Sequence, residues 1–285
     1  MILVTGPTGN VGGALVSRLS TAGAPVRALV RSRNRGDDLR GYDVDLAVGT
    51  FEDRDALRRA VEGVDRVFLL APPGEQLVAQ ELAVVGVVQE VAPQAHVVAL
   101  AAAGVDGDGG GRLLAAHREV LAGLRESGLA HTVLAPTPFM QNLLGQASSV
   151  QGRSVLPTTT PDAAVAWVDV RDVAAVAAHV LATGGHEGAT YTITGPEAVT
   201  GRQTADLLGQ VLERPVTAEP LDLDALRGQL GGAGVPPWLV EGLAELTGWL
   251  LEGGSSTVTD EVDKAVGAPA RPMSAFLGEH RAVFA

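Results

Sequence analysis

Residues 1–12, Met-Ile-Leu-Val-Thr-Gly-Pro-Thr-Gly-Asn-Val-Gly, carry the strongest structural signal in the chain. The apolar run Ile2–Val4 predicts a short strand. The glycines after it predict a tight turn, because glycine adopts positive φ and lets the backbone approach a ligand closely. Val11, Leu15 and Leu19 follow at helical spacing. A strand, a glycine turn and a helix in this order predict a phosphate-binding motif, since the free N–H groups at a helix start favour an anion.

The alternation of strand and helix continues through the first half of the chain. Several of the strand segments are apolar on both faces, which is typical of buried parallel strands. This rhythm predicts an α/β fold with a doubly wound parallel sheet of the Rossmann type. The predicted strands are Ile2–Val4, Val26–Val30, Val44–Val48, Val67–Leu70, His96–Leu100 and Thr132–Ala135, and the predicted helices are Asn10–Thr21, Asp53–Val61, Glu75–Val91 and Arg112–Ser127.

The rhythm loosens near residue 150, which suggests two domains. We expect a dinucleotide-binding domain over residues 1–150 and a smaller, largely helical substrate region over residues 151–285. The boundary is soft, because one of the later predicted strands, Val165–Val168 and Thr190–Thr194, could rejoin the first sheet. Residues 221–252 are apolar and helical and contain two tryptophans. They form either a lid over a flat aromatic ligand or a helical subdomain packed on the core.

Composition narrows the possible partners of the chain. Its 285 residues carry a net charge of −12, which argues against nucleic acid as a partner. There is no cysteine, so disulfides, thiolate metal sites and cysteine nucleophiles are excluded. The six histidines show no metal-binding spacing, and we predict no metal site. No signal peptide and no apolar run of membrane-spanning length is visible, so a cytoplasmic protein without a membrane partner is expected.

The segment after the second predicted strand indicates which dinucleotide binds. An NAD-binding unit places an acidic residue about 20 positions after the glycine turn, where it accepts from the ribose 2′-hydroxyl. Here Arg31, Arg33 and Arg35 occupy that segment. Guanidinium groups attract a 2′-phosphate, so NADP(H) is the predicted cofactor. The alternative is a solvated basic loop with no ligand.

Residues 5–12, Thr-Gly-Pro-Thr-Gly-Asn-Val-Gly, resemble the glycine turn of atypical short-chain dehydrogenases of the NmrA-like group. Residues 126–136, 139–142, 168–174 and 191–197 also resemble that family's segments, so the likeness spans nearly the whole chain. It implies that Phe51 lies against the adenine and that Ala71 and Pro72 border the cofactor. The residues assigned to cofactor binding are Gly6, Thr8, Gly9, Asn10, Val11, Gly12, Arg31, Arg33, Arg35, Phe51, Ala71, Pro72, Ala101 and Pro136.

The proton donor of short-chain dehydrogenases, a Tyr-x-x-x-Lys pair aided by a serine, is missing from the sequence. Four residues after Tyr42 and Tyr191 stand Leu46 and Gly195, and Ala101 begins an alanine run where the serine would be. His117 is the candidate substitute, because it stands where the phenylcoumaran and isoflavone reductase branch of the resemblance has a catalytic lysine, and histidine can donate a proton near neutral pH. Alternatively, His117 is a solvated surface residue, and a phenol beside the substrate's ketone supplies the proton.

The resemblance implies an NADPH-dependent reductase that acts on a ketone or quinone of a hydrophobic, aromatic, polyketide-like substrate. A weaker resemblance links the chain to the polyketide-tailoring ketoreductases of antibiotic biosynthesis that act on angucyclinones. Two other readings stay open: a regulatory protein that senses NADP without turnover, and an isomerase or epimerase that uses bound cofactor. The oligomeric state is not predicted.

Overall fold

The computed structural model describes the backbone of residues 1–285 and every side chain except that of Asp38. Seven strands form a central parallel sheet in the order β3-β2-β1-β4-β5-β6-β8, and a second parallel sheet pairs β7 with β9. This confirms the predicted doubly wound α/β fold. The strands are β1 (Ile2–Val4), β2 (Val26–Val30), β3 (Val44–Val48), β4 (Arg66–Leu69), β5 (His96–Leu100), β6 (His131–Pro136), β7 (Val155–Thr158), β8 (Thr190–Ile193) and β9 (Thr217–Pro220).

The helices α1 to α4 follow the first strands in the predicted alternation, with bounds within two residues of those expected. In the described part of the chain, no helix combines the length and the apolar character needed to cross a membrane. The helices are α1 (Asn10–Thr21), α2 (Arg54–Val61), α3 (Leu77–Val91), α4 (Gly111–Glu126), α5 (Ala147–Arg153), α6 (Val170–Ala182), α7 (Gly201–Leu212), α8 (Leu223–Gly232), α9 (Pro237–Leu251), α10 (Glu261–Val266), α11 (Met273–Glu279) and α12 (Arg281–Phe284).

Two compact units share the chain, and each is assembled from three separate segments. The first consists of residues 1–102, 116–135 and 173–191, and the second of residues 103–115, 136–172 and 192–285. The division therefore recurs along the chain and does not fall once near residue 150. The later strand that could rejoin the first sheet is β8, which lies at its edge beside β6.

The core of the first unit explains the apolar strands. Every residue of β1 and β5 is buried, and β1 lies between β2 and β4 with Leu3 level with Arg27 and Val67. The second unit has a core of its own, where Met140, Leu208 and Phe276 pack together with residues of β7 and β9.

The predicted strand Val165–Val168 is wrong. Val165 makes an isolated antiparallel bridge to Val199, and Val168 makes a parallel bridge to Phe139. Between them, the N–H of Ala166 donates to the carbonyl oxygen of Ser255 over 2.8 Å. The segment is apolar because it is buried, but its backbone groups find partners on several separate segments instead of along one neighbouring strand.

Candidate functional site

Two glycines of the first turn are required by the turn itself. Gly6 has a φ of 60°, in the left-handed region that favours glycine. Gly12 is buried in the first turn of α1, where an added Cβ would lie 2.1 Å from the carbonyl oxygen of Gly6. Gly9 differs, because its added Cβ would meet only one atom, at the ordinary distance of 3.5 Å. The fold therefore does not exclude a side chain at Gly9, and its small size leaves space on the exposed side of the turn.

The amino end of α1 offers backbone donors to an anion. Gly9 is the N-cap residue, and no described side chain accepts from the N–H groups of the first turn. That turn contains no acidic residue, while Thr8, Gly9 and Asn10 are exposed. A helix start that is uncapped, exposed and free of negative charge suits a phosphate group.

The parallel register gathers most of the predicted cofactor residues at one edge of the sheet. Because β1 to β5 are all parallel, the segments after their carboxyl ends emerge on the same side. These segments contain the glycine turn after β1, Arg31 after β2, Phe51 after β3, Ala71 after β4 and Ala101 after β5. The edge includes the point between β1 and β4 where the strand order reverses, which is the usual ligand site of such sheets.

The arginines after β2 are all exposed. Arg33 and Arg35 lie in a 3₁₀ helix over Arg33–Leu39. Among the described side chains, none forms an ion pair with Arg31, Arg33 or Arg35, whereas Arg40 is paired with Asp37 over 2.8 Å. These three guanidinium groups are therefore available to an anionic ligand.

A cavity of about 210 Å³ opens beside Phe51, between α2 and α3. Phe51 and Leu57 provide apolar lining, and Glu52 and Gln80 provide polar lining. The Nε2 of Gln80 donates to Oε1 of Glu52 over 3.2 Å, which links the segment after β3 to α3. Hydrogen bonds from Thr50, the Glu52 backbone and Gln80 lower the pKa of the Glu52 carboxyl below its ordinary value. This mixture of a ring, apolar groups and polar acceptors suits a flat heterocycle such as adenine.

The end of β4 is fixed by two buried polar side chains that the sequence did not single out. Oγ1 of Thr5 donates to the carbonyl oxygen of Leu70 and accepts from the N–H of Leu70, both over 2.8 Å. Oε1 of Glu81, in α3, accepts from the N–H of Ala71 over 2.9 Å. Burial raises the pKa of the Glu81 carboxyl to about 8. The only sequence signal was a single acidic residue in the apolar stretch Leu77–Val88.

His117 lies in the second turn of α4 and is half-buried. Burial lowers the pKa of its imidazole to about 4. At neutral pH the ring is therefore uncharged, and a general acid must hold the proton it is to donate. The catalytic role of His117 stays a prediction.

The remaining groups of a short-chain dehydrogenase site are engaged elsewhere or replaced. Ala101 is buried and carries no hydroxyl. The hydroxyl of Tyr191 bonds to Nδ1 of His186 over 2.8 Å, and Lys264 pairs with Asp260 over 2.6 Å. Pro136 ends β6, where its carbonyl oxygen accepts from the N–H of Ala103 over 2.9 Å.

A parallel sheet in Rossmann order has an exposed glycine turn after β1 and exposed arginines, unpaired among the described side chains, after β2. This arrangement is that of a dinucleotide-binding protein. The chain belongs to the NmrA-like family, whose model matches residues 1–273. It is 39% identical over 290 residues to the (4-alkanoyl-5-oxo-2,5-dihydrofuran-3-yl)methyl phosphate reductase of Streptomyces griseus, covering 100% of this chain and 99% of that one. It is 33% identical over 287 residues to the NAD(P)H azoreductase of Xenophilus azovorans, with 100% and 99% covered.

The solved structures contain the same fold. The NADPH complex of the quinone oxidoreductase QOR2 of Escherichia coli matches with a TM-score of 0.88 at 24% identity, over 98% of this chain and 99% of that one. These comparisons confirm the family resemblance. The relatives' names agree with the predicted oxidoreductase and with its predicted cofactor.

Proposed function

We propose that this NADP(H)-dependent oxidoreductase reduces a ketone or quinone on a hydrophobic, aromatic substrate of the polyketide type. One observation carries the proposal: an exposed glycine turn follows the carboxyl end of β1, and three exposed arginines without an ion-pair partner among the described side chains follow that of β2, while the sequence lacks the usual Tyr-x-x-x-Lys acid. The relatives are named for an alkanoyl dihydrofuranone phosphate, an azo compound and a quinone. Such unsaturated acceptors support reduction as the shared reaction.

The residues of the first unit fit the dinucleotide. The first turn of α1 would donate its N–H groups to the pyrophosphate, and Arg31, with Arg33 and Arg35, would bind the 2′-phosphate. The cavity beside Phe51 would take the adenine. When bound, NADPH supplies a hydride to the acceptor. The chain contributes binding, orientation and exclusion of water, which together account for much of the rate of such reactions.

The proton is the second requirement of the reduction. With His117 uncharged at neutral pH, the side chain offers no ready proton. We propose that the substrate supplies it, from a phenol beside the reduced carbonyl, or that the acceptor is a quinone, whose conjugation spreads the developing charge over its oxygens. In either case the carbonyl is reduced without a strong protein acid, which agrees with the alanine at position 101.

NADPH oxidation with a panel of acceptors tests the proposal. We expect turnover with 1,4-naphthoquinone and with a ketone flanked by a phenol, and much slower turnover after the phenol is methylated. Gly9→Val is the negative control. The turn itself has space for a side chain at this position, but that side chain would occupy the space of the bound pyrophosphate. This variant should stay folded and lose both NADPH binding and turnover.

Two outcomes would contradict the reductase assignment. Tight NADPH binding without oxidation by any acceptor would favour a protein that senses NADP. Product formation without net loss of NADPH would favour an isomerase or epimerase. Undiminished NADPH binding by folded Gly9→Val would show that the turn is not the phosphate site.

A further inference from the structure

Glu81 is an unusual residue for the interior of a sheet–helix layer. Its side chain is 1% exposed, on a helix whose other buried residues are apolar. Oε1 accepts from the N–H of Ala71, whereas Oε2 is buried and has no hydrogen-bond partner among the described residues. A carboxyl that is half satisfied in an apolar interior destabilises the fold. Leucine or methionine would fill the same volume at lower cost, so packing alone does not account for a carboxyl here.

The hydrogen bond from the N–H of Ala71 to Glu81 fixes the short segment Ala71–Pro73, which follows β4. Ala71 is itself buried, and the two residues after it, Pro72 and Pro73, have no N–H groups. The N–H of Ala71 is therefore the last backbone donor before Gly74, and the only one within Ala71–Pro73. Glu81 accepts from that donor directly.

The glycine turn is tied to the same place from the other side. Thr5, which precedes Gly6, makes two hydrogen bonds to the backbone of Leu70. An added Cβ on Gly6 would lie 3.1 Å from the carbonyl oxygen of Leu70. Thr5 and Glu81 thus form hydrogen bonds to two successive residues, Leu70 and Ala71. These bonds fix the position of the Ala71–Pro73 segment relative to the glycine turn.

We propose that Glu81 is a positioning residue for the dinucleotide, because its Oε1 holds the Ala71–Pro73 segment in place against the glycine turn before the cofactor binds. The proposal rests on the proposed function only in requiring that NADP(H) binds at this edge. The N–H of Ala71 requires a hydrogen-bond acceptor at position 81, and that acceptor does not have to carry a negative charge. A glutamine can supply the same acceptor through its amide oxygen, whereas a methionine of similar volume cannot.

The test compares Glu81→Gln, Glu81→Met and a control, Val84→Ala, by calorimetric titration with NADP⁺ and by thermal melting. Val84 is buried on the same helix and its side chain has no acceptor, so its truncation removes packing without removing the hydrogen bond to Ala71. We expect Glu81→Gln to bind NADP⁺ within about threefold of wild type and Glu81→Met about tenfold or more weakly, in line with one unpaired buried donor. Val84→Ala should have a lower melting temperature but an unchanged affinity for NADP⁺. Glu81→Gln should retain the activity that Glu81→Met loses.

The proposal is overturned if Glu81→Met binds NADP⁺ like wild type, or if Val84→Ala loses as much affinity. A second measurement needs no variant. The Ala71 amide should be protected from hydrogen exchange in the cofactor-free protein. Rapid exchange of this amide would show that the Ala71–Pro73 segment is not fixed before the cofactor binds. Because the readout is binding, the proposal can fail separately from the reaction. Wild type that binds NADP⁺ without reducing any acceptor would overturn only the reaction, whereas no binding at all would overturn both.

Discussion

At the scale of single residues, Arg31 is the clearest test of cofactor choice. It is exposed and has no ion-pair partner among the described side chains, so its charge is free for a 2′-phosphate. The loss of a charge-assisted hydrogen bond costs about 1.5–3 kcal/mol. Arg31→Ala should therefore bind NADPH about tenfold or more weakly and NADH nearly as before. Titration calorimetry with both cofactors measures the difference.

Arg40 provides the matched control for this prediction. It belongs to the same exposed segment, but its guanidinium is already paired with Asp37. Arg40→Ala should leave both affinities unchanged. Equal affinity of the wild type for NADPH and NADH would show that no guanidinium in this segment recognises the phosphate.

A variant of His117 tests whether the protein or the substrate supplies the proton for the reduction. With a pKa of about 4, its imidazolium form amounts to about one molecule in a thousand at pH 7. If the substrate supplies the proton, His117→Ala should keep its single-turnover rate within a few-fold of wild type. If His117 donates, the variant should lose about 10²–10⁴-fold, and the wild-type rate should rise as the pH falls toward 4. A loss beyond about 100-fold with intact NADPH binding would refute the substrate-assisted route.

At the scale of elements, the glycine-rich segment after β5 shows how a tryptophan can organise a loop. The ring of Trp249, in α9, lies where added Cβ atoms on three glycines would fall, at 2.5 Å for Gly104, 2.6 Å for Gly109 and 2.2 Å for Gly254. Arg112 reinforces the contact through a paired hydrogen bond to Glu245 of the same helix. The glycines here make room for the indole, and α9 holds the segment in place.

A double-mutant cycle tests this contact. Gly109→Ala should destabilise the protein by about 1–3 kcal/mol, because its methyl group enters the ring volume and Trp249 must move. Gly107→Ala is the control, since its Cβ would meet only one atom, at 3.6 Å. Trp249→Leu should relieve the clash, so the two changes should be non-additive by about 1 kcal/mol in thermal or urea unfolding. Additive effects would show that the ring and the glycine do not interact.

The same elements show how far the sequence predicts this fold. Strands β1 to β6 were found because each is mostly a run of apolar residues. Most of these residues are buried within the sheet, except in the edge strand β3, whose residues are half-buried or exposed. Strands β7 and β9 were missed, because each has four residues, includes a proline and pairs only with the other across a separation of about sixty residues. The glycine turn and Arg31 were predicted because their chemistry is local. Glu81 and Trp249 were not placed, because their roles depend on which distant backbone atoms the fold brings beside them.

At the scale of the whole molecule, buried titratable groups should limit stability on both sides of neutrality. Burial lowers the pKa of His96, His117 and His186, so the unfolded chain binds more protons than the folded one below about pH 6.5. Stability should therefore fall as the pH drops from 6.5 toward 4. Glu81 acts in the opposite direction, because burial raises the pKa of its carboxyl to about 8. The unfolded state releases this proton at a lower pH than the folded state does, so the contribution of Glu81 to the free energy of unfolding falls as the pH rises from the unfolded pKa of 4.5 to about 8, and it partly offsets the histidines below pH 6.5.

The histidine contributions are nearly complete only above about pH 7.5, one unit beyond the ordinary histidine pKa of 6.5, and there the Glu81 contribution remains. One group that differs fully in protonation changes the free energy of unfolding by at most about 1.4 kcal/mol per pH unit. The melting temperature of the wild type should therefore decline from about pH 7.5 to about pH 9, as the pH passes the folded pKa of Glu81, and Glu81→Gln, which cannot ionise, should remove most of that decline. His117→Gln should leave the alkaline decline intact and reduce the acid loss instead. An equal alkaline decline in wild type and Glu81→Gln would show that the buried carboxyl is not the group that titrates, because no other change separates the two proteins in this range.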